Sequence, residues 1–418
     1  MKNRSSDPYA AWRYPSFRNL LLGRMIFLMG TQAQAMALGW EIYNRTDNPF
    51  SLGLVALFKG IPMVLFTLPG GVIADRFDRR VIIRICLSGA TCTSLAMAYA
   101  SFQSASLWIL YALLFLDSSF MRMTTPAGAS LMPMLIPKEL LENGVKWSSN
   151  IFQTTSLIGP ALAGFILSWN LQATYLMCAG TSLTFIALVT RMDVRLQEKR
   201  TRQHWRKEVM EGLEFVWSRK VLLGTVSLDL FAVLFGGAVY LLPVFARDIL
   251  PPVLGMTREQ MLGWLHAAPA AGALSMGMVI AHRPPFTRAG RAMLWGVAGF
   301  GAVTIAFGLS RSFWVSWPLL FLAGAFDNIS VVVRHTLVNV LTPDVMRGRV
   351  SAVNSIFIGS SNELGGFESG LVAKLFSPVI SVVSGGIATL VVVLLWAGFF
   401  PRLREFGRFQ DADDPSER

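Results

Sequence analysis

Long apolar runs, interrupted at short intervals by polar and charged clusters, set the pattern of this 418-residue chain. Twelve of them, at roughly 20–43, 52–74, 81–100, 107–128, 145–168, 173–190, 221–246, 261–281, 292–310, 313–341, 350–376 and 379–400, lie near the ~20 residues that carry a helix across a bilayer core. The runs are continuous and lack period-two alternation. In lipid, where every backbone polar group needs an internal partner, that pattern predicts spanning helices and not a barrel. The longest polar stretch, from Arg191 to Lys220, divides the runs into two sets of six. The expected organisation is a six-helix bundle over 1–190, a cytoplasmic linker over 191–220, a second bundle over 221–401 and a cytoplasmic tail over 402–418. Within the linker, Trp205, Val209, Leu213, Val216 and Trp217 recur at helical spacing opposite Arg206, Lys207, Glu208 and Glu211, predicting an amphipathic helix on the membrane face.

The two sets look like repeats. Pro137, Gly159 and Gly164 recur at a constant offset of 206 residues as Pro343, Gly365 and Gly370, which aligns the fifth run with the eleventh. The second and eighth runs open on Leu52-Gly53 and Leu262-Gly263, each with a proline further in, Pro62 and Pro269.

Composition agrees with a membrane solvent. The chain is 53% hydrophobic and 15% charged, with a mean hydropathy of +0.50, where soluble domains carry about 25% charged residues. Met1 to Phe17 is polar and basic without an apolar signal core, so the first helix is expected to serve as its own targeting signal. A net charge of +12 would suit nucleic acid if it formed one patch, but it lies in alternate loops. Of the basic residues, 28 fall in the terminal segments and one set of alternate loops. Five, namely Arg45, Arg247, Arg258, Arg311 and Lys374, fall in the other set, and Arg24, Lys59, Arg122 and Arg334 lie inside runs. By the positive-inside rule both termini are cytoplasmic. Cys86, Cys92 and Cys178 all lie in apolar runs and are expected to be small core residues, and His204, His266, His282 and His335 show no metal-ligand spacing, so neither metal nor cofactor is expected.

Ionisable groups inside spans cost about 2.5–3.5 kcal/mol at a helix centre, so each asks for a reason. The candidates for proton coupling are Asp117 and Arg122 in the fourth run, Asp229 in the seventh, Asp327 and Arg334 in the tenth, and Glu363 and Glu368 in the eleventh. Asp327 and Arg334, seven apart, share a helix face, whereas Asp117 and Arg122 point about 140° apart and are expected to bond to other helices. Asp229 has no basic neighbour in its own run. Gln32, Gln34, Asn328 and Asn362 are candidates for hydrogen-bonding a substrate in a cavity, or one another. Gly159, Pro160 and Gly164, with Ala163, form a small-residue stripe for close helix contact.

The stretch Gly71-Val72-Ile73-Ala74-Asp75-Arg76-Phe77-Asp78-Arg79-Arg80 resembles the loop between helices two and three of the major facilitator superfamily of secondary transporters. It departs from that pattern at Asp78, where the family generally has a second glycine. The resemblance implies twelve helices in two pseudo-symmetric bundles. It also implies that Gly71 permits close packing, that Asp75 faces the start of helix eleven as a conformational latch, and that Arg76, Arg79 and Arg80 anchor the loop. Arg122 to Gly128 resembles the helix-four pattern linked to proton movement, and Gly159-Pro160 through Gly164 is similar to a segment of the superfamily's antiporters. Ser227 to Ala238, Leu241 to Asp248 and Arg347 to Asn354 resemble the bacterial enterobactin-exporter-like branch.

The function these readings imply is a proton-coupled exporter of a small amphipathic molecule, siderophore- or drug-like, working by alternating access as a monomer in a bacterial inner membrane. Within the transporter class the alternatives are a lipid or lysophospholipid transporter and a nutrient importer. A membrane transferase or a receptor is the remaining class, and no nucleophile with its base, metal cluster or phosphate loop is visible to support an enzyme.

Overall fold

The computed structural model describes residues 7–193, 205–284, 286–405 and 407. The side chains of 68, 75, 205–209, 344, 345, 352, 402 and 405, the linker over 194–204 with His204, and most of the tail lie outside the described residues. Eleven of the twelve expected spans each fall on one helix among the described residues, to within a residue, and the seventh on a broken one. In the first part of the chain these are α1 (Pro15–Thr46), α2 (Pro49–Arg76), α3 (Arg79–Phe102), α4 (Leu107–Leu135), α5 (Leu141–Trp169) and α6 (Leu171–Thr190). The linker helix α7 (Trp205–Ser218) follows, then α8 (Lys220–Phe235), a single turn α9 (Leu242–Val244), α10 (Arg258–Ala281), α11 (Ala289–Leu309), α12 (Phe313–Leu341), α13 (Asp344–Leu375), α14 (Pro378–Phe399) and the short α15 (Pro401–Glu405). Among the described residues, ten helical segments are both long and apolar enough to cross a membrane. The other two expected spans, α1 and α13, have 32 residues each but carry too many polar groups to qualify by hydropathy.

Chain contacts define two compact units. The first comprises Met1–Arg45, Ile61–Arg202 and Thr257–Ala267, and the second Thr46–Gly60, Gln203–Met256 and Ala268–Arg418. In the first unit α3 packs against α4 and α6 around buried Phe17, Leu21, Ile83, Leu87 and Leu131. In the second, α11 packs against α12 and α14, and α8 against α13 and α14, around Leu228, Met293, Val333 and Leu337. Glycine sets the closest approaches. A Cβ on Gly164 of α5 would lie 3.0 Å from the Cα of Gly263 on α10, and one on Gly370 of α13 would lie 2.6 Å from that of Gly53 on α2. The glycines matched by the sequence repeat thus meet pairwise, one pair in each unit, and each admits backbone contact that any side chain would block. Gly159 does the same for α5 against α1, where a Cβ would lie 3.2 Å from that of Gln32.

Three local expectations change. The seventh span is not one helix. After Phe235 the chain breaks at Gly236, makes a 3-10 turn over Gly237–Leu241, then α9, then a π turn over Phe245–Ile249. The cause is local: two consecutive glycines and Pro243 weaken the helix, and the bare backbone at Gly237 closes on α13, where a Cβ would lie 2.6 Å from the Gly365 carbonyl oxygen. At the 71–80 loop a Cβ on Gly71 would meet nothing within 4 Å, whereas one on Gly70 would lie 3.2 Å from Met123 Cα, so Gly70 is the glycine that packs against α4. Cys92, third, is exposed on α3, while Cys86 and Cys178 are buried.

Asp78 explains its own departure from the family loop. Its backbone is extended, φ −60° and ψ 118°, and its carboxylate caps α3 by accepting the Arg80 N–H at 2.9 Å, so no left-handed glycine is needed. The Arg80 guanidinium donates to both carboxylate oxygens, at 3.3 and 3.0 Å, and to the Met192 carbonyl. Those hydrogen bonds hold the Asp78 carboxyl below the usual carboxylate range. The side chain of Asp75 lies outside the described residues, and Arg76 is exposed. In the linker, α7 packs on α13, with Gly212 against the Arg349 backbone, Val216 buried and Glu211 ion-paired to Arg349. Trp217 is exposed.

Candidate transport site

The break after α8 frees backbone groups at membrane depth, which is tolerated only where protein or a water-filled cavity covers them. It borders such a cavity in the second unit, about 180 Å³, room for several waters, lined by Gly236, Tyr240, Thr304, Asp327 and Asn362 among apolar residues that include Phe300 and Phe307. Discontinuous helices mark binding sites in many transporters for this reason. The cavity brings together two sequence candidates, Asp327 from α12 and Asn362 from α13. Among the described residues no hydrogen bond or ion pair reaches the Asp327 carboxyl. Asn362 is exposed and spends its side-chain N–H on the Ile358 carbonyl at 2.9 Å.

Beside the cavity, Tyr240 donates its phenolic O–H to Glu363 at 2.7 Å, and Lys59 Nζ stands 3.7 Å from the other Glu363 oxygen and 5.9 Å from the centre of the Tyr240 ring. Glu363 is buried, and Lys59 is partly exposed. Glu368, further along α13, is half-buried and among the described residues accepts only a long hydrogen bond from Ser369, 3.4 Å.

Arg334 does not serve Asp327. Although the two share a face of α12, the Arg334 guanidinium is ion-paired with Asp229 of α8, both side chains being almost wholly buried. The expectation that Asp229 stands without a basic neighbour is therefore corrected: its partner comes from another helix. Arg334 Nε and the buried Asn328 Oδ1 have no hydrogen-bond partner among the described residues.

In the first unit, Asp117 accepts from Thr93 of α3 at 2.9 Å, the bond to a second helix that its spacing predicts. Gln34 is buried and accepts from Ser94 at 2.6 Å, so it is spent inside the bundle, whereas Gln32 lies at the α1–α5 contact and Arg122 is partly buried. Sequence reasoning passes over a cluster here. Tyr175 donates to buried Glu41 at 2.6 Å, and Arg45, one turn on, pairs with Glu41 at 2.5 Å while donating to the Ala105 and Ser101 carbonyls at 2.9 and 3.1 Å. The signal available was an i, i+4 acid and base closing an otherwise apolar run.

A family model described as transmembrane secretion effector matches residues 6–415. The enterobactin exporter EntS of Escherichia coli O1:K1 / APEC is 24% identical over 403 residues, covering 94% of each chain, and that of Citrobacter koseri is 26% identical over 406 residues with the same coverage. Among solved structures, a bacterial homologue of the human lysosomal transporter Spinster, inward-facing and unoccupied, superposes with a TM-score of 0.70 at 16% identity, covering 96% of this chain and 99% of that one. A variant of the peptide transporter POT gives 0.75 at 10% identity over 94% and 95% of the two chains. At such identity these neighbours show the fold. Carried by the family match over nearly the whole sequence, the conclusion is that the chain belongs to the transmembrane secretion effectors of the major facilitator superfamily, multi-pass secondary transporters and not enzymes.

Proposed function

We propose that this protein is a proton-coupled exporter of a small amphipathic molecule in a bacterial inner membrane, with both termini cytoplasmic, working by alternating access of the halves 1–190 and 221–401. The relatives named as enterobactin exporters support a siderophore- or drug-like cargo. The observation that carries the coupling is Asp327. A carboxyl at membrane depth needs water, a partner charge or a proton, and Asp327 has a cavity on one side and no ion-pair partner among the described residues. Of the other intramembrane acids, Asp229 is engaged by Arg334, Asp117 by Thr93 and Glu363 by Tyr240 and Lys59, while Glu368 accepts a long hydrogen bond from Ser369 and does not line the cavity. A proton taken by Asp327 from the outer side neutralises it for the return step, and hydration of the cavity from the inner side lets it leave. The cargo crosses in the opposite sense.

The test is proton movement in proteoliposomes under an imposed cargo gradient, with iron-free enterobactin and a fluorescent amphipathic dye as trial cargoes. Asp327→Asn is expected to abolish cargo-dependent proton movement while leaving insertion and thermal stability close to wild type. Wild-type proton-to-cargo stoichiometry in Asp327→Asn would assign coupling elsewhere, with Glu363 next in line.

A further inference from the structure

The first unit holds a second cavity, about 230 Å³, between α1, α4 and α5, and its charge is unbalanced. Arg24 of α1 enters it, and no acidic residue lines it. A guanidinium is a permanent cation, and one in apolar surroundings ordinarily has a carboxylate beside it. Among the described residues Arg24 makes no ion pair; its single hydrogen bond runs from Nη1 to the neutral Ser148 Oγ at 3.2 Å. Because Ser148 accepts in that bond, its own O–H remains to be donated, and no hydrogen bond among the described residues reaches Ser149 at the cavity mouth. The remaining guanidinium N–H groups and two hydroxyls thus leave several donors without acceptors among the described residues. The rest of the lining includes aromatic rings and thioethers, with Phe27 and Phe185 rings 5.8 Å apart and Met121 and Met132 also on the cavity, an adaptable surface for a flat apolar body.

We infer that this cavity is an anion-recognition subsite that holds the carboxylate or phosphate oxygens of an amphipathic acid on Arg24, Ser148 and Ser149, with the apolar part of that molecule against Phe27 and Phe185. Arg presents two parallel N–H groups that match a carboxylate or phosphate edge, which selects it over a point charge for this task. The inference rests on the transporter reading for the cargo's presence, but the site is defined by binding alone. The same oxygen chemistry is offered by an organic acid from solution and by an anionic phospholipid headgroup.

The experiment measures equilibrium binding of naphthalene-2-carboxylate and of its neutral amide to the full chain in phosphatidylcholine nanodiscs, without any gradient. Wild type is expected to favour the carboxylate by roughly ten-fold or more, the scale of one charge-assisted hydrogen bond. Arg24→Gln is expected to erase that preference, and Arg24→Lys to keep part of it, which separates lost charge from lost fold. No preference in wild type, or an equal preference in Arg24→Gln, overturns the inference. Adding phosphatidylglycerol to the discs distinguishes the sources. An unchanged carboxylate affinity marks a site for soluble acids. Competition, together with phosphatidylglycerol retained by wild type and lost by Arg24→Gln in native mass spectrometry, marks a headgroup site. Binding that survives while transport fails would overturn the exporter reading and leave this site standing.

Discussion

Each unit contains a tyrosine, a buried glutamate and a base in contact, and the two clusters differ in one respect that matters. In the first unit Glu41 is held by Tyr175 at 2.6 Å and by Arg45 at 2.5 Å, and Arg45 also closes on two backbone carbonyls. In the second unit Glu363 is held as closely by Tyr240, at 2.7 Å, but its base is Lys59 at 3.7 Å, a single ammonium with no fork. The arginine cluster ties the end of α1 to α6 through Tyr175 and to the Ser101 and Ala105 carbonyls through Arg45, and reads as a clamp. The lysine cluster is looser and borders the Asp327 cavity. In the second unit the clamping is done elsewhere, by Asp229 and Arg334 across α8 and α12. Similar groups are thus held differently, by a forked guanidinium in one unit and by a single ammonium in the other.

The largest effect should come from breaking the clamp of the second unit. Asp229→Leu leaves the Arg334 charge buried without a partner, and is expected to lower stability by about 3–5 kcal/mol. The double variant Asp229→Leu with Arg334→Met removes both charges and should recover most of that loss, since a well-packed apolar pair is often no less stable than a buried ion pair. Thermal unfolding in detergent reads both. A double variant no more stable than the single ones would assign the pair a role beyond electrostatic matching.

A smaller effect tests the comparison directly. Arg45→Ala strands buried Glu41 and opens two carbonyls, for an expected loss of about 3 kcal/mol. Lys59→Ala removes a partly exposed base at 3.7 Å, for under about 1 kcal/mol. Equal losses would mean that the two clusters do the same work, and the distinction drawn between them would collapse.

Much of this was legible from hydropathy because lipid imposes a simple rule. The tenth expected span, 313–341, coincides with α12, and the repeat that links Gly164 with Gly370 and Gly53 with Gly263 is realised as two glycine contacts. What the pattern could not carry is choice among long-range partners. Arg334 lies on the face of Asp327, yet neighbouring helices turn it to Asp229. Glu41 and Tyr175 are 134 positions apart, and nothing in either run points to the other. The break at Gly236 was signalled by its glycine pair, but apolar content alone reads straight through it. Arg24 stood out only as a charge inside a run; that its surroundings contain no acid is a property of four other helices.

The smallest expected effect, that of Asp78→Asn, belongs to a fourth acid–base pair, outside the spans, which supplies the more solvent-exposed end of the same scale. Asp78 pairs with Arg80 at 3.0 Å, and both side chains are roughly a quarter to a third exposed, at 32% and 27%, where salt and water screen the attraction. Its main contribution is as the cap of α3, so Asp78→Ala should cost about 1 kcal/mol, and Asp78→Asn, which keeps a capping oxygen, only a few tenths. The pH dependence fixes the sign. Because the Arg80 hydrogen bonds depress the folded-state pKa, the stabilisation by the charge is present above the unfolded carboxyl value of about 3.9 and is lost as pH falls through the lower folded value. The gap between wild type and Asp78→Asn should therefore narrow as unfolding is measured from neutral pH to below about 4. A gap that widens toward acid would show that Asp78 gains from protonation, and that the exposed pair does not belong on the same scale as the two buried clusters.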